Sequence, residues 1–159
     1  MKSRLFREYK FKFYLNSGHS ILIDGHQGAV HPHTWEFSLR ILIQKEGFVE
    51  FNVFEKASNL FFEKYQNQTL NNVKPFDTLM PTLENMVDYF GEELRTIIRA
   101  VGGELMEIEG SETPTRSYLV SYEKDSEYLE HIEASTQKTI SRIMEKFLDE
   151  VEDEFEIED

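Results

Sequence analysis

Between His31 and Ile43 the odd positions read His, His, Trp, Phe, Leu, Ile and Ile, while polar side chains concentrate at the even ones. That period of two requires an extended strand with one buried and one solvated face, and such a strand needs partners. Arg4 to Leu15, dense in Phe and Tyr with Lys and Arg between them, predicts one partner strand. A turn-like Asn16-Ser17-Gly18, a short apolar run Ile21-Leu22-Ile23 and a loop Asp24-Gly25-His26-Gln27-Gly28 separate the two. After Gly47 the period changes. Phe54, Ala57, Leu60, Phe61 and Tyr65 sit at helical spacing within Val53 to Tyr65. Pro81-Thr82-Leu83-Glu84-Asn85 opens a second helix with Thr82 as its cap, and an apolar stripe from Leu83 to Ile98 runs until Gly102-Gly103. Further strands are expected near Glu104 to Glu109 and Arg116 to Tyr122. This order predicts an α+β fold, a four-stranded antiparallel sheet with two helices on one face.

Beyond Asp125, Tyr128, Ile132, Ile140, Ile143, Phe147 and Val151 recur at roughly helical intervals, which predicts a C-terminal helix to about Asp149 and a frayed acidic end. The chain therefore divides at the sequence level into a domain over residues 1–122 and an acidic helix and tail over 123–159. The formal charge of -13 follows that division: residues 123–159 hold 14 acids and 4 bases, the first 122 residues 16 and 13. So acidic a chain, with no basic stripe, disfavours a nucleic-acid partner, because affinity for the phosphate backbone rests on Lys and Arg. With no Cys there is no disulfide, thiolate zinc site or cysteine nucleophile. Short apolar runs and an N-terminus that alternates charge with hydrophobe give neither a membrane span nor a signal-peptide pattern. A cytoplasmic location is expected.

Four of the five histidines, His19, His26, His31 and His33, fall within fifteen consecutive positions. His31 and His33 are two apart on a strand, so both imidazoles leave one face, and a chain that folds back brings His19 to them as a third nitrogen. Three neutral imidazoles with an open fourth position suit a catalytic zinc. The alternative at this point is that His31 and His33 are partly exposed loop-end residues and His19 a satisfied core histidine.

The sequence resembles the 6-pyruvoyl-tetrahydropterin synthase and 6-carboxytetrahydropterin synthase family. The resemblance covers Tyr9 to Tyr122 and is carried by several pieces in order. These are His19, the run His31-Pro32-His33-Thr34-Trp35-Glu36-Phe37, Val49-Glu50-Phe51, Pro81-Thr82-x-Glu84-Asn85 and Glu112-Thr113. It implies the tunnelling fold, with subunits joining their sheets into a barrel as a trimer or hexamer. It also implies a zinc held by His19, His31 and His33, and a pterin-like small molecule anchored by Glu112, with Thr113 and Thr82 as further pocket residues. A carboxylate accepts two hydrogen bonds from a guanidine-like edge, which is what a pterin ring presents.

The departures concern proton transfer. Where the family has a Cys before its His-x-His, this chain has Gln27, and where it has an Asp-His pair, this chain has Gln66 and Asn67. An amide takes no proton at neutral pH, and a positioned acid or base contributes ~10²–10⁴-fold to rate. Asp24 and His26 are the nearest titratable substitutes, although neither aligns. Three readings follow: a zinc-binding family member that holds a pterin-like ring without the usual turnover, an active zinc-dependent pterin synthase or lyase with a relocated base, or an oligomeric scaffold whose acidic tail docks partners.

Overall fold

A computed structural model describes residues 8–43, 50–122 and 137–149. It divides into two compact units, residues 1–123 and 124–159. The first unit is built on strand β1 (Tyr9–His19), a small hairpin of β2 (Leu22–Ile23) and β3 (His26–Gln27), and strand β4 (His31–Leu42). Helix α1 (Phe51–Glu63), a short 3-10 turn (Leu70–Asn72), helix α2 (Leu83–Ala100) and strands β5 (Glu104–Thr113) and β6 (Arg116–Ser121) complete it. The antiparallel sheet runs in the order β1-β4-β5-β6.

The alternation in β4 does what the sequence demands. Trp35, Phe37, Leu39 and Ile41 are fully buried, and they pair across β1 with Leu15, Phe13, Phe11 and Tyr9. Against that face lie Phe54, Phe61 and Phe62 of α1 and Met86, Val87, Phe90, Leu94 and Ile98 of α2. Phe37 stacks on Phe62 at 5.3 Å between ring centroids and meets Phe90 edge-on at 5.3 Å. Each such side chain contributes ~1.5–3 kcal/mol by leaving water, so the aromatic layer carries the fold. The opposite face bears charges, among them Lys12 with Glu36 at 3.1 Å and Arg40 with Glu107 at 2.9 Å. Surface pairs of this kind stabilise little.

Four boundaries differ from the sequence expectation. Asn16-Ser17-Gly18 is strand, not turn: β1 stays in register with β4 through Gly18↔Pro32 to His19↔His31. Gly18 suits that run because a Cβ there would lie 3.1 Å from Val30 Cγ1. The start expected at Arg4 lies outside the described residues. Helix α1 begins at Phe51 and ends at Glu63 instead of spanning Val53 to Tyr65, and β5 continues past Glu109 to Thr113. In the second unit residues 137–149 are helical and exposed throughout, with Ile140, Ile143, Met144, Phe147 and Leu148 among them. The rest of the expected C-terminal helix and the acidic end fall outside the described residues.

Candidate functional site

The last pair of the β1–β4 ladder is His19↔His31. Alternation then places His33 on the same face as His31, two residues into β4. The three rings meet edge to face, with centroids 4.6 Å apart for His19 and His31, 4.9 Å for His19 and His33, and 4.7 Å for His31 and His33. One nitrogen from each lies within 4.8 Å of the other two, and among the described residues this is the group so arranged.

The outer nitrogens of His19 and His31 are already committed. The Nδ1–H of His19 donates to the Pro81 carbonyl at 2.6 Å, and Nδ1 of His31 lies 3.2 Å from the Ala29 carbonyl. The Nε2 atoms of His19 and His31 therefore face each other at 3.0 Å. Nε2 of His33 is buried with no hydrogen-bond partner. An orphaned buried nitrogen beside two bare ones is costly unless something binds them, and three imidazoles on one point are a donor set that fits zinc. Burial holds the pKa of His19 below its usual value. The Pro81 hydrogen bond and the Glu112 charge raise it in part, while His31 and His33 lower it again. The outcome favours the neutral imidazole that a metal requires.

Pro81 reaches His19 because α2 starts just behind the cluster. Thr82 caps that helix: its Oγ1 accepts from the Asn85 backbone N–H at 3.2 Å, and Asn85 Nδ2 donates to the Met80 carbonyl at 2.9 Å. Glu112, near the end of β5, stands at the edge of the cluster. Its Oε1 accepts from Trp35 Nε1 at 3.2 Å and lies 3.8 Å from His19 Nε2. The carboxylate also lines a cleft of about 350 Å³ with Ile21, Thr82, Leu83, Arg116 and Tyr118. A second cleft, about 480 Å³, opens beside His33 and is lined by Asn16, Pro32, Thr34, Asn67 and Gln68. Thr82 and Glu112 thus line the same cleft. Thr113 does not line that cleft, and its hydroxyl meets Thr115 at 3.2 Å.

Asp24 and His26 sit at the exposed tip of the β2–β3 hairpin, whose turn uses positive φ at Asp24 (49°) and Gly25 (77°). Neither joins the histidine group. Two of the three amides, Gln27 and Gln66, have side-chain partners, and Asn67 is tied through its backbone. Gln27 donates to Ser20 Oγ, which itself donates to the Gly28 carbonyl at 2.6 Å. Gln66 accepts from the Asn16 N–H at 2.9 Å and donates to the Tyr14 carbonyl at 2.7 Å. Asn67 adopts φ 55° and its N–H donates to the Asn16 carbonyl at 2.6 Å. Sequence reasoning missed Trp35 and Pro81 as the groups that orient Glu112 and His19. It also missed Asn71, which pairs with the backbone N–H and carbonyl of Ser20 at 2.8 and 2.9 Å. A Trp two residues after a ligand pair was the one available signal.

A family model described as 6-pyruvoyl tetrahydropterin synthase matches residues 8–124. Among solved structures, the 6-pyruvoyl tetrahydropterin synthase of Caenorhabditis elegans superposes with a TM-score of 0.63 at 15% identity, covering 77% of this chain and 100% of that one. An uncharacterised protein from Wolinella succinogenes gives 0.58 at 14% identity, covering 76% and 100%. The 6-pyruvoyl tetrahydropterin synthase of Plasmodium falciparum gives 0.52 at 17%, covering 72% and 96%. At such identities the likeness is one of fold. No curated protein matches the sequence.

Proposed function

Because this chain belongs to the 6-pyruvoyl tetrahydropterin synthase family, we propose that it binds one zinc ion through His19, His31 and His33 and a pterin-like heterocycle through Glu112, without the turnover usual for the family. The observation that carries the reading is the convergence of three imidazole nitrogens, one of them buried and unpartnered, beside a carboxylate that lines a ligand-sized cleft. When bound, zinc would supply Lewis acidity toward oxygens on the ligand's side chain.

The chain's own groups divide the remaining work. Pro81 fixes the His19 tautomer, so that Nε2 faces the cluster. Trp35 Nε1 fixes one oxygen of Glu112 and leaves the carboxylate capacity for a donor edge. Ile21, Leu83 and Tyr118 supply apolar walls for a flat ring. At the three positions where the family moves protons stand Gln27, Gln66 and Asn67; the first two hold the hairpin and the strand with their side chains, and Asn67 holds the strand through its backbone N–H.

Metal analysis of the purified protein and titration of the metal-free form test the zinc part: one equivalent is expected, and the His33→Ala variant should hold far less. Well under one equivalent, with no binding of added zinc, overturns it. Incubating the zinc-loaded protein with dihydroneopterin triphosphate tests the chemistry. Product at a typical ~1–10³ per second would replace this reading with that of an active lyase, and His26→Ala and Asp24→Asn would then locate its base.

The sheet ends in two edges, β1 and β6. Pairing those edges between copies removes the exposed ladder, which supports a trimer or hexamer. A light-scattering mass of one subunit at micromolar concentration would refute it. Among the described residues no helix is long and apolar enough to cross a membrane.

A further inference from the structure

The β5–β6 hairpin carries an irregularity beside Glu112. Gly110 pairs with Tyr118, a register that would set Glu112 opposite Arg116, yet the ladder slips by one and Arg116 pairs with Thr113. The slip sits at the mouth of the Glu112 cleft, and both Glu112 and Arg116 line it. Arg116 is exposed, and its guanidinium makes no ion pair or hydrogen bond with the described residues. Five N–H donors therefore stand uncommitted in a cleft whose other charged group beside Glu112 is the exposed Glu84.

Donor and acceptor groups side by side recognise a ligand edge of the opposite pattern. Glu112 accepts from an amino group and a ring N–H, and Arg116 donates to whatever acceptor adjoins them. We propose that Arg116 reads the ring carbonyl next to the edge held by Glu112, so that the cleft selects a 2-amino-4-oxo heterocycle over a 2,4-diamino one. This rests on the assignment of Glu112 as the ring anchor. A diamino ring turns two further donors toward the guanidinium and an acceptor nitrogen toward the carboxylate, and a site built to hydrogen-bond one edge rejects the other strongly. Arg suits the task because its planar fork keeps its charge and direction, whereas Lys offers a single movable point.

The test measures quenching of pteridine fluorescence by zinc-loaded protein, using pterin and 2,4-diaminopteridine as probes at pH 7.5. The native protein should prefer pterin by about tenfold or more, the scale of a hydrogen bond to a charged group. Arg116→Met should weaken pterin by about tenfold while moving the diamino probe less than threefold, and Arg116→Lys should recover part of the preference. Zinc content and melting temperature serve as controls, since Arg116 is exposed. Equal affinity of Arg116→Met and native protein for pterin, or an equal loss on both probes, overturns the proposal. If Glu112→Gln abolishes binding while Arg116→Met does not alter the preference, Arg116 fails and Glu112 stands. If native protein binds neither probe, the ring-binding reading falls and this one with it.

Discussion

Adding a methyl group at Gly110 would place a Cβ 2.5 Å from Val87 Cγ2 and 2.9 Å from Phe37 Cε1. Both neighbours are fully buried. Overpacking at such a point costs ~1–3 kcal/mol, and restricting the unfolded chain returns ~0.4–1 kcal/mol, so Gly110→Ala should destabilise by about 1–2 kcal/mol. Val87→Ala removes the clashing methyl and one other, losing about 2 kcal/mol of burial and packing. Because the new Cβ would then fill part of the vacated space, the double variant should be more stable than the sum of the two by about 1 kcal/mol. Urea midpoints at one protomer concentration, with m unchanged, measure this directly. Val87 lies on α2, whose start presents the Pro81 carbonyl to His19, so Gly110→Ala should also weaken zinc binding and the double variant restore it. Additivity within ~0.5 kcal/mol, or a zinc affinity indifferent to both changes, would refute the close contact between helix and sheet as the cause.

Tyr65 gives a pH dependence with a definite sign. Burial, then the hydrogen bond with Tyr89, raises its pKa from the ordinary 10.0, so the unfolded chain loses this proton before the folded one does. The stability it confers is complete below about pH 10 and declines above it; Tyr65→Phe should flatten the fall in urea midpoint between pH 9 and 11, and an unchanged slope counts against the assignment. Gln66→Ala should speed hydrogen exchange at the Asn16 amide by tenfold or more, at a cost of about 1 kcal/mol, while leaving zinc stoichiometry intact. Unaltered exchange at Asn16 would mean that the Gln66 hydrogen bond to its N–H does not form in solution.

The strands and helices were legible where a single period ran long enough. Residues 31–43 could satisfy their alternation in one way, and the stripe from Leu83 to Ile98 with Thr82 ahead of it left no other helix to draw. Asn16-Ser17-Gly18 misled because turn-forming residues report local preference, whereas the pairing with Thr34, His33 and Pro32 is set by a strand 14 to 18 residues away. The histidine trio was readable from spacing, since two of its members share a strand face. What orients His19 was not, because the Pro81 carbonyl reaches it through tertiary packing. The residues at 27, 66 and 67 show the same limit: composition reveals that they do not titrate, and only the fold reveals that Gln27 serves the Ser20 hydroxyl, Gln66 the backbone of β1, and Asn67 that same strand through its own backbone N–H.

The pairing of His19 with His31 closes the chain on itself before the excursion of residues 20–30 begins. Two of the three candidate ligands are thereby fixed by a ladder that the excursion does not build, and the third follows from strand alternation alone. Residues 20–30, with their hairpin and exposed tip, behave as an insert hung from a finished joint. Such an insert can lengthen, shorten or change its reactive side chains while the imidazoles keep their mutual geometry, so long as the contacts of Ser20 with Asn71 and of His31 with Ala29 survive. In evolution or in the laboratory, the histidine cluster and whatever chemistry is set over it are separately exchangeable parts.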